Sequence, residues 1–389
     1  MHTLPVRFEK VKLSVALLGV LSCLLTDFIS VSPNRLATGE GVSLLSMGNW
    51  WEPLFVLMLC LSIAVLSFLS RSRGRNGSLL AANILMVAIL VIAGHYANGV
   101  ASNSTPYART SLGWGFWLLV FVCIIVTIES AQGKDTSASK RLIIFLIPAV
   151  GLSALFLSGH LDNISLVKEL LNRQDRFIEE GWVHLVLAYS SVALSSLFGI
   201  PLAILLFKKP SLETRGFFVL NIIQTIPSIA LFGLLIAPLA YLSMKFNWLQ
   251  TIGFQGIGWA PAVIALFLYA LLPIVRNTYT GFKSIDPSVV EAASGMGMNN
   301  WQILIRVELP LISPIVLNGI RIAAVQSVGN TAVAALIGAG GLGIFIFQGL
   351  GQAATGLILL GAIPTIMMAV LTDLIMQGSI EWFRPGRKS

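Results

Sequence analysis

Long apolar runs separated by short polar segments divide the chain from end to end. Each run has about 18 residues or more, the length that an α-helix needs to cross the hydrocarbon core of a membrane. The runs cover residues 12–30, 53–70, 78–98, 112–129, 141–158, 183–207, 216–241, 259–276, 312–336 and 354–377. This pattern predicts an all-α polytopic membrane protein with about ten transmembrane helices.

Composition and charge narrow the class further. Of the 389 residues, 56% are hydrophobic and 11% are charged, too few charges to cover soluble cores with polar surface. The net charge of +8 comes from short basic clusters such as Arg71, Arg73 and Arg75, which do not form a surface that tracks nucleic acid. The three cysteines lie in apolar runs and the four histidines are scattered, so neither a metal site nor a disulfide framework is predicted.

The distribution of lysine and arginine predicts the orientation, because these residues collect in short loops on the cytoplasmic side. If the N-terminus lies inside, roughly three quarters of the 25 basic residues fall in cytoplasmic segments. We therefore expect a multi-pass protein of the bacterial inner (cytoplasmic) membrane, with both termini in the cytoplasm.

The polar connections predict four segments. Residues 1–158 hold five spans with short connections and form an N-terminal membrane extension. Residues 159–181 are the most charged outer segment and are predicted to form an amphipathic periplasmic connector helix. Residues 182–380 hold the other five spans, and residues 381–389 form a cytoplasmic tail.

A distinctive polar segment, residues 284–310, lies between spans eight and nine. Asp286 is placed to cap a helix whose first residue is Pro287. Gly295 and Gly297 provide the turn that ends this helix. The segment therefore begins as a short surface helix followed by a glycine elbow.

A second short helix follows the elbow. Asn299 or Asn300 is placed to cap it, and Pro310 is expected to stop it. The small face of Ala292 and Ala293 beside one carboxylate suits docking into a groove on another protein. The alternative is an amphipathic helical hairpin at the cytoplasmic surface with no special role.

Seven positions of this segment match, spacing for spacing, the EAA loop of bacterial ABC importer permeases. They are Glu291, Ala292, Ala293, Gly297, Val307, Leu309 and Pro310. Val307 stands where that pattern usually has isoleucine. Residues 182–380 resemble the five-helix, MetI-like core of these permeases, with the EAA coupling loop at residues 284–310.

Two further stretches carry a narrower resemblance. QTIPSIALFGLL at residues 224–235 and LNGIRIAAVQSVGNTAVAALIGAGGLG at residues 317–343 look like permeases for glycine betaine, choline and related osmoprotectants. The five additional N-terminal spans are similar to those of the long YehY type of permease. The resemblance implies a translocation path for glycine betaine or a related osmoprotectant delivered by a periplasmic binding protein. Another small amine or an amino acid such as methionine is the alternative substrate.

The resemblance also implies partners: a cytoplasmic ABC ATPase dimer, a periplasmic substrate-binding protein, a second permease copy or a paralogous permease, and membrane lipid. No nucleic acid is expected. Gly133 and Lys134 do not belong to a phosphate-binding loop, so ATP and Mg are expected on the partner subunit, with no cofactor and no catalysis in this chain. An ion-coupled secondary transporter is the alternative of a different class. An ion-coupled transporter usually has carboxylates near the middle of the membrane, whereas Asp27 and Asp373 lie near span ends.

Polar side chains within two spans are candidates for the translocation path. They are Asn221, Gln224, Thr225 and Ser228 in span seven, spaced as on one helical face, and Gln326, Asn330 and Thr331 in span nine. Ordinary hydrogen bonding between helices is the competing interpretation.

Ser191, Ser195 and Gly199 repeat small residues every four positions, which favours close helix packing. Arg321, inside span nine, is expected to snorkel or to pair with a carboxylate such as Glu291.

Gly338, Gly340 and Gly343 formally match a dinucleotide-binding glycine pattern. No strand precedes them, so this role is not supported. They predict a tight re-entrant turn or a short helix between spans nine and ten.

Overall fold

The computed structural model of the protein describes residues 10–34, 37–68, 71–105, 107–131 and 150–382, with the backbone alone for residues 71–73 and 131. The chain divides into two compact units. The first holds Met1–Asn172 together with Gln352–Gly356, and the second holds Arg173–Gly351 and Leu357–Ser389.

The described part of the first unit contains helices and one small sheet. Its helices are α1 (Lys10–Leu25), α2 (Trp51–Leu66), α3 (Arg71–Asn103), α4 (Trp114–Ala131), α5 (150–157) and α6 (Ser165–Leu171). Its strands are β1 (Asp27–Ser32), β2 (Glu40–Ser43) and β3 (Arg109–Leu112), and a 3₁₀ turn spans Leu44–Ser46.

The sheet is antiparallel, with β1 between β2 and β3. Ile29 is fully buried and lies opposite Val42 and Leu112, so one face of the sheet is apolar. The predicted span 12–30 is therefore wrong at its end, because the helix stops at Leu25 and a strand follows. In DFISVS, the β-branched residues Ile29 and Val31 alternate with serine, which suits a half-buried strand.

The core of the first unit brings together apolar side chains from α1, α2, α3, α4 and the sheet. Ala16, Val56, Leu85 and Leu119 lie within it and have no solvent exposure. Helix α1 packs against α2 and α4, and α3 packs against the same two helices. The unit thus has a hydrophobic core of its own.

Within its described residues, the regular elements of the second unit are all helices. Its elements are α7 (Gln174–Lys208), α8 (Pro210–Thr225), α9 (Ser228–Lys245), α10 (Asn247–Thr251), α11 (Trp259–Lys283), α12 (Pro287–Gly295), α13 (Asn300–Ile303), a π-helical turn (Leu304–Glu308), α14 (Leu309–Ala334), a 3₁₀ turn (Ala335–Ile337), α15 (Gly343–Gly351) and α16 (Thr355–Trp382), whose first two residues belong to the first unit.

Helices α7, α11 and α14 form the packed centre of the second unit. Ser195 is buried, and its hydroxyl donates to the carbonyl of Phe267 on α11 at 2.8 Å. A Cβ at Gly199 would lie 3.3 Å from Ile274 Cγ2. The close packing predicted for Ser191, Ser195 and Gly199 is confirmed.

Six helices in the described residues are long and apolar enough to cross a membrane. They are Gly74–Asn103, Gln174–Lys208, Ser228–Lys245, Trp259–Lys283, Asn300–Ile337 and Thr355–Trp382. Trp51–Leu66 and Trp114–Ser130 are shorter apolar helices at two more predicted spans. Of predicted span 141–158, residues 141–149 lie outside the described residues. The predicted helical, polytopic fold is confirmed, and the small sheet of the first unit is an addition to it.

Predicted span seven, residues 216–241, is not one helix. Helix α8 ends at Thr225, and α9 begins at Ser228 after Ile226 and Pro227. Proline lacks an N–H and disfavours helical geometry in the residue before it. Ile226 accordingly has an extended backbone, with ψ of 126°.

Residues 159–181 also do not form one helix. Helix α6 ends at Leu171, and α7 begins at Gln174 and continues through the predicted connector into the following span. The domain boundaries proposed at residues 158, 181 and 380 remain predictions.

Candidate coupling loop and translocation face

The first helix of the loop at residues 284–310 begins as the sequence predicts. The Asp286 carboxylate accepts a hydrogen bond from the backbone N–H of Ser288 at 2.9 Å, and Pro287 is the first residue of α12. This backbone hydrogen bond lowers the pKa of Asp286. The ionised cap therefore persists above that lowered pKa and is lost as the pH falls through it, so α12 is fully capped at neutral pH.

Gly297 forms the elbow. Its φ is +83°, in the left-handed region that favours glycine. The N–H of Met298 reaches back to the carbonyl of Ala293 at 3.2 Å, the closing bond of a Schellman cap. Gly295 is the last residue of α12 and does not have a positive φ, so the turn depends on Gly297.

The second helix begins at a capping box. Asn299 Oδ1 accepts from the N–H groups of Trp301 and Gln302, and Gln302 Oε1 accepts from the N–H of Asn299. Asn299, rather than Asn300, is the cap.

The prediction that Pro310 stops this helix is wrong. Residues Asn300–Ile337 are continuously helical. A π-helical turn at Leu304–Glu308 precedes the proline, and the N–H of Leu309 bonds to the carbonyl of Leu304. The wider turn offers a way to accommodate the proline ring, which in a regular α-helix clashes with the carbonyl four residues earlier.

One side of the loop is fixed to the membrane helices. Leu304 is buried against Phe282 of α11 and against Ile312 and Val316 of α14. Ala293 is also buried, at 2% exposure. A displacement of the loop would therefore be transmitted to α11 and α14 through packed side chains.

The other side of the loop is open. Glu291 and Ala292 are exposed, and the large apolar side chains of Met296 and Trp301 are 72% and 66% exposed. Of the remaining predicted coupling positions, Val307 and Leu309 are partly buried and Pro310 is exposed. A carboxylate beside exposed apolar side chains suits a protein contact.

Substituting the elbow glycine tests this geometry. Gly297→Ala is expected to destabilise the loop by about 1–2 kcal/mol, because an alanine in left-handed geometry strains the backbone. Gly295→Ala is the matched control, since neither glycine has an atom within 4 Å of an added Cβ and Gly295 is helical. Amide hydrogen exchange over residues 287–303 should rise in the first variant and not in the second. Equal exchange would contradict the role of Gly297.

The candidate path residues around span seven do not share one helical face, because Ser228 lies on α9, beyond the break. Gln224 Nε2 donates to the carbonyl of Tyr269 at 2.5 Å, and the Tyr269 hydroxyl donates to the carbonyl of Ile226 at the break. Asn221 Oδ1 accepts from Arg276 Nη2 at 3.3 Å. Gln224 and Asn221 thus hold α8 to α11.

Thr225 donates to a carbonyl of its own helix, that of Ile222. On α14, Thr331 is fully buried, and its hydroxyl donates to the carbonyl of Ser327 at 2.7 Å. These bonds favour a structural role for Thr225 and Thr331. Gln326 and Asn330 lie four residues apart and are partly exposed, and neither forms a hydrogen bond within the described residues. They remain predictions for the path.

Arg321 pairs with Asp373, not with Glu291. Arg321 Nε lies 2.6 Å from Asp373 Oδ1, and Nη2 lies 2.8 Å from Oδ2. This bidentate pair joins α14 to α16, and its side chains are 27% and 36% exposed. The sequence did not identify Asp373 as the partner because 52 residues separate the two.

Breaking this pair from either side is expected to destabilise the protein. Arg321→Leu leaves a carboxylate unpaired within a membrane helix, at a cost of about 1–3 kcal/mol after allowance for the partial exposure. Asp373→Leu should act similarly, while the double variant should recover part of the loss because no charge is then unpaired. Thermal melting of the purified protein measures all four forms. Additive losses in the double variant would contradict a coupled pair.

The glycine segment between α14 and α15 forms a tight turn followed by a short helix, as predicted. Gly338, Gly340 and Gly341 have φ values of +75°, +85° and +88°. The N–H of Gly341 donates to Glu180 Oε2 at 2.7 Å. Helix α15 starts two residues later, at Gly343.

His184 anchors the same turn. Its Nδ1 accepts from the N–H of Leu342 at 3.3 Å, and its Nε2 lies 2.9 Å from the carbonyl of Val328. Because Nδ1 accepts, Nε2 carries the proton and the imidazole is neutral. The side chain is fully buried and joins α7, α14 and the glycine turn. A single histidine in an apolar run gave no signal of this role.

Known families match both parts of the chain. Residues 8–167 match the family described as ABC transporter permease YehY, N-terminal domain. Residues 195–389 match the family described as binding-protein-dependent transport system inner membrane component.

Individual permeases align with this chain as well. OpuCD of Bacillus subtilis (strain 168), a glycine betaine/carnitine/choline transport system permease protein, is 39% identical over 51% of this chain and 80% of the relative. The osmoprotectant import permease protein OsmY of Salmonella typhimurium is 38% identical over 64% of this chain and 95% of the relative. An inward-facing structure of the MetNI methionine ABC transporter aligns at 22% identity over 54% of this chain and 97% of that chain, with a TM-score of 0.47.

Proposed function

We propose, from the premise that this chain belongs to the family of binding-protein-dependent transport system inner membrane components, that it forms the translocation path for glycine betaine or a related osmoprotectant. As a member of this family it is a multi-pass permease subunit of the inner membrane and a transport component. The substrate class is supported by the relatives, whose names state glycine betaine, carnitine, choline or osmoprotectants.

The loop at residues 284–310 is the proposed contact for a cytoplasmic ABC ATPase dimer. Its support is the combination of an exposed Glu291, exposed Met296 and Trp301, and a buried side packed on α11 and α14. ATP and Mg would bind to that partner. The basic residues on the same predicted side of the membrane support a cytoplasmic loop and cytoplasmic termini.

A periplasmic substrate-binding protein is proposed to deliver substrate to the opposite side. The complete path would need a second permease, either another copy of this chain or a paralogue. Gln326 and Asn330 are the residues of this chain that we propose to line it, since their amides offer uncharged polar contacts to a zwitterion.

Uptake by the reconstituted complex tests the proposal. Permease, ATPase and binding protein would be assembled in proteoliposomes, and radiolabelled glycine betaine, choline and methionine compared with and without ATP. We expect ATP-dependent accumulation of glycine betaine or choline, with no effect of a protonophore at constant ATP. Accumulation of methionine alone would overturn the substrate class. Abolition of uptake by the protonophore would instead indicate ion coupling.

A further inference from the structure

The first unit contains a cavity of about 640 Å³ that the proposed function does not use. Its volume lies within the range of small-molecule binding sites. The cavity is bounded by the sheet, by the N-terminal end of α4, by α6 and by the segment at residues 353–355.

The polar face of the sheet lines this cavity. Ser30 of β1 lies opposite Gly41 of β2 and Ser111 of β3, and Ser32 lies opposite Arg109. All five residues border the cavity, whereas Val42, the β2 partner of Ile29, does not. Small side chains on this face leave the space unfilled and offer hydroxyl groups to a ligand.

An acidic group lies over the same face. An added Cβ at Gly41 would lie 2.0 Å from Asp27 Oδ2, so the carboxylate rests directly on the β2 backbone. A side chain at position 41 would displace it. Within the described residues, Asp27 forms neither an ion pair nor a hydrogen bond through this carboxylate, and it is exposed to the cavity.

Arg109 supplies a positive charge to the same cavity, which Glu169 also lines. The Nε of Arg109 is buried and has no hydrogen-bond partner within the described residues. The pKa of Lys168 is lowered by burial and then by the charge of Arg109. A buried donor without a partner is costly, and the guanidinium to which it belongs offers further N–H donors to a carboxylate.

Two indole rings complete the lining. Trp114 is 79% exposed and Trp117 is partly buried, and both border the cavity. Indole faces attract organic cations, including quaternary ammonium groups. The cavity therefore combines a guanidinium that can donate hydrogen bonds to an anion with a carboxylate and two indoles that attract a cation.

We propose that this cavity binds a small zwitterion, with its carboxylate at Arg109 and its quaternary ammonium group at Asp27 and the indoles. Strand β1 begins at Asp27 and ends at Ser32, which lies opposite Arg109 on β3. At roughly 3.3 Å per residue, the two ends of β1 are about 16 Å apart. The side chains close part of this gap, so a zwitterion with well-separated charges fits best. The site gives the N-terminal unit a ligand, and the choice of betaine-like probes rests on the proposed function.

Equilibrium dialysis of the full-length permease in lipid nanodiscs, without ATPase or binding protein, tests this site. Radiolabelled carnitine, glycine betaine and choline are the probes. We expect carnitine to bind more tightly than glycine betaine. Arg109→Gln should weaken carnitine binding at least tenfold and leave choline, which has no carboxylate, unchanged, while Asp27→Asn should weaken both.

Controls separate this site from the path. Arg176→Gln removes another basic residue, one that pairs with Glu180, and should leave binding unchanged. If Arg109→Gln fails to fold, Ser111→Met provides a second variant that fills the cavity floor. The proposal would be overturned if carnitine does not bind. It would also be overturned if binding is lost in a Gln326→Ala/Asn330→Ala variant but retained in the cavity variants. If the reconstituted complex takes up no substrate but the permease still binds carnitine, that result counts against the proposed function and not against the cavity site.

Discussion

The Gly343→Ala variant is expected to lose its monodisperse form in detergent, because no space exists for the added methyl group. A Cβ at this position would lie 1.8 Å from the carbonyl oxygen of Ala332, 2.6 Å from its carbonyl carbon and 2.9 Å from its Cα. All three are backbone atoms of α14, so no side-chain rotation relieves the overlap. We expect a destabilisation of about 3 kcal/mol or more.

Gly351→Ala is the matched control for this variant. Gly351 ends the same helix, α15, and an added Cβ there has no atom within 4 Å. Size-exclusion profiles and thermal melting would be compared for the two variants and the wild type. If Gly343→Ala and Gly351→Ala have the same melting temperature, α14 and α15 do not approach each other closely at Gly343.

The Glu291→Ala variant is expected to reduce ATP-dependent uptake by about 30-fold or more while leaving the melting temperature unchanged. The carboxylate is exposed on α12 and, within the described residues, has no intramolecular partner. Its removal therefore costs the isolated chain little. At a protein interface, loss of a charged anchor commonly costs about 2 kcal/mol or more, which corresponds to the stated factor.

Two further variants sharpen this test. Glu291→Gln keeps the shape of the side chain and removes the charge, and it should fall between alanine and wild type. Asn300→Ala changes an exposed side chain of the same loop that does not form the cap, and it should retain uptake. Normal uptake and normal co-purification of the ATPase with Glu291→Ala would remove this residue from the coupling contact.

Features that depend on neighbouring residues were predictable from the sequence. Asp286 caps α12, Asn299 caps α13 and Gly297 makes the elbow, because each role is set by a few adjacent backbone groups. The permease family also followed from a local pattern, the spacing between Glu291 and Pro310 in the loop.

Features that depend on distant residues were not predictable in this way. Arg321 on α14 pairs with Asp373 on α16. Buried His184 joins α7, α14 and the glycine turn. Strand β1 was hidden at the end of an apolar run, because hydropathy alone does not separate a short strand from a helix end. The break after Thr225 did have a local signal in Pro227, because proline disfavours helical geometry in the residue before it.

The π-helical turn at Leu304–Glu308 also fixes the rotational phase of the helix that follows it. One additional residue in a turn advances every later side chain by about 100° around the helix axis. Whether Gln326 and Asn330 point towards a channel or towards lipid is therefore set some twenty residues earlier, at the surface loop. Because Asn300–Ile337 is one rod of about 57 Å at 1.5 Å per residue, a twist applied at its loop end would reorient both amides together.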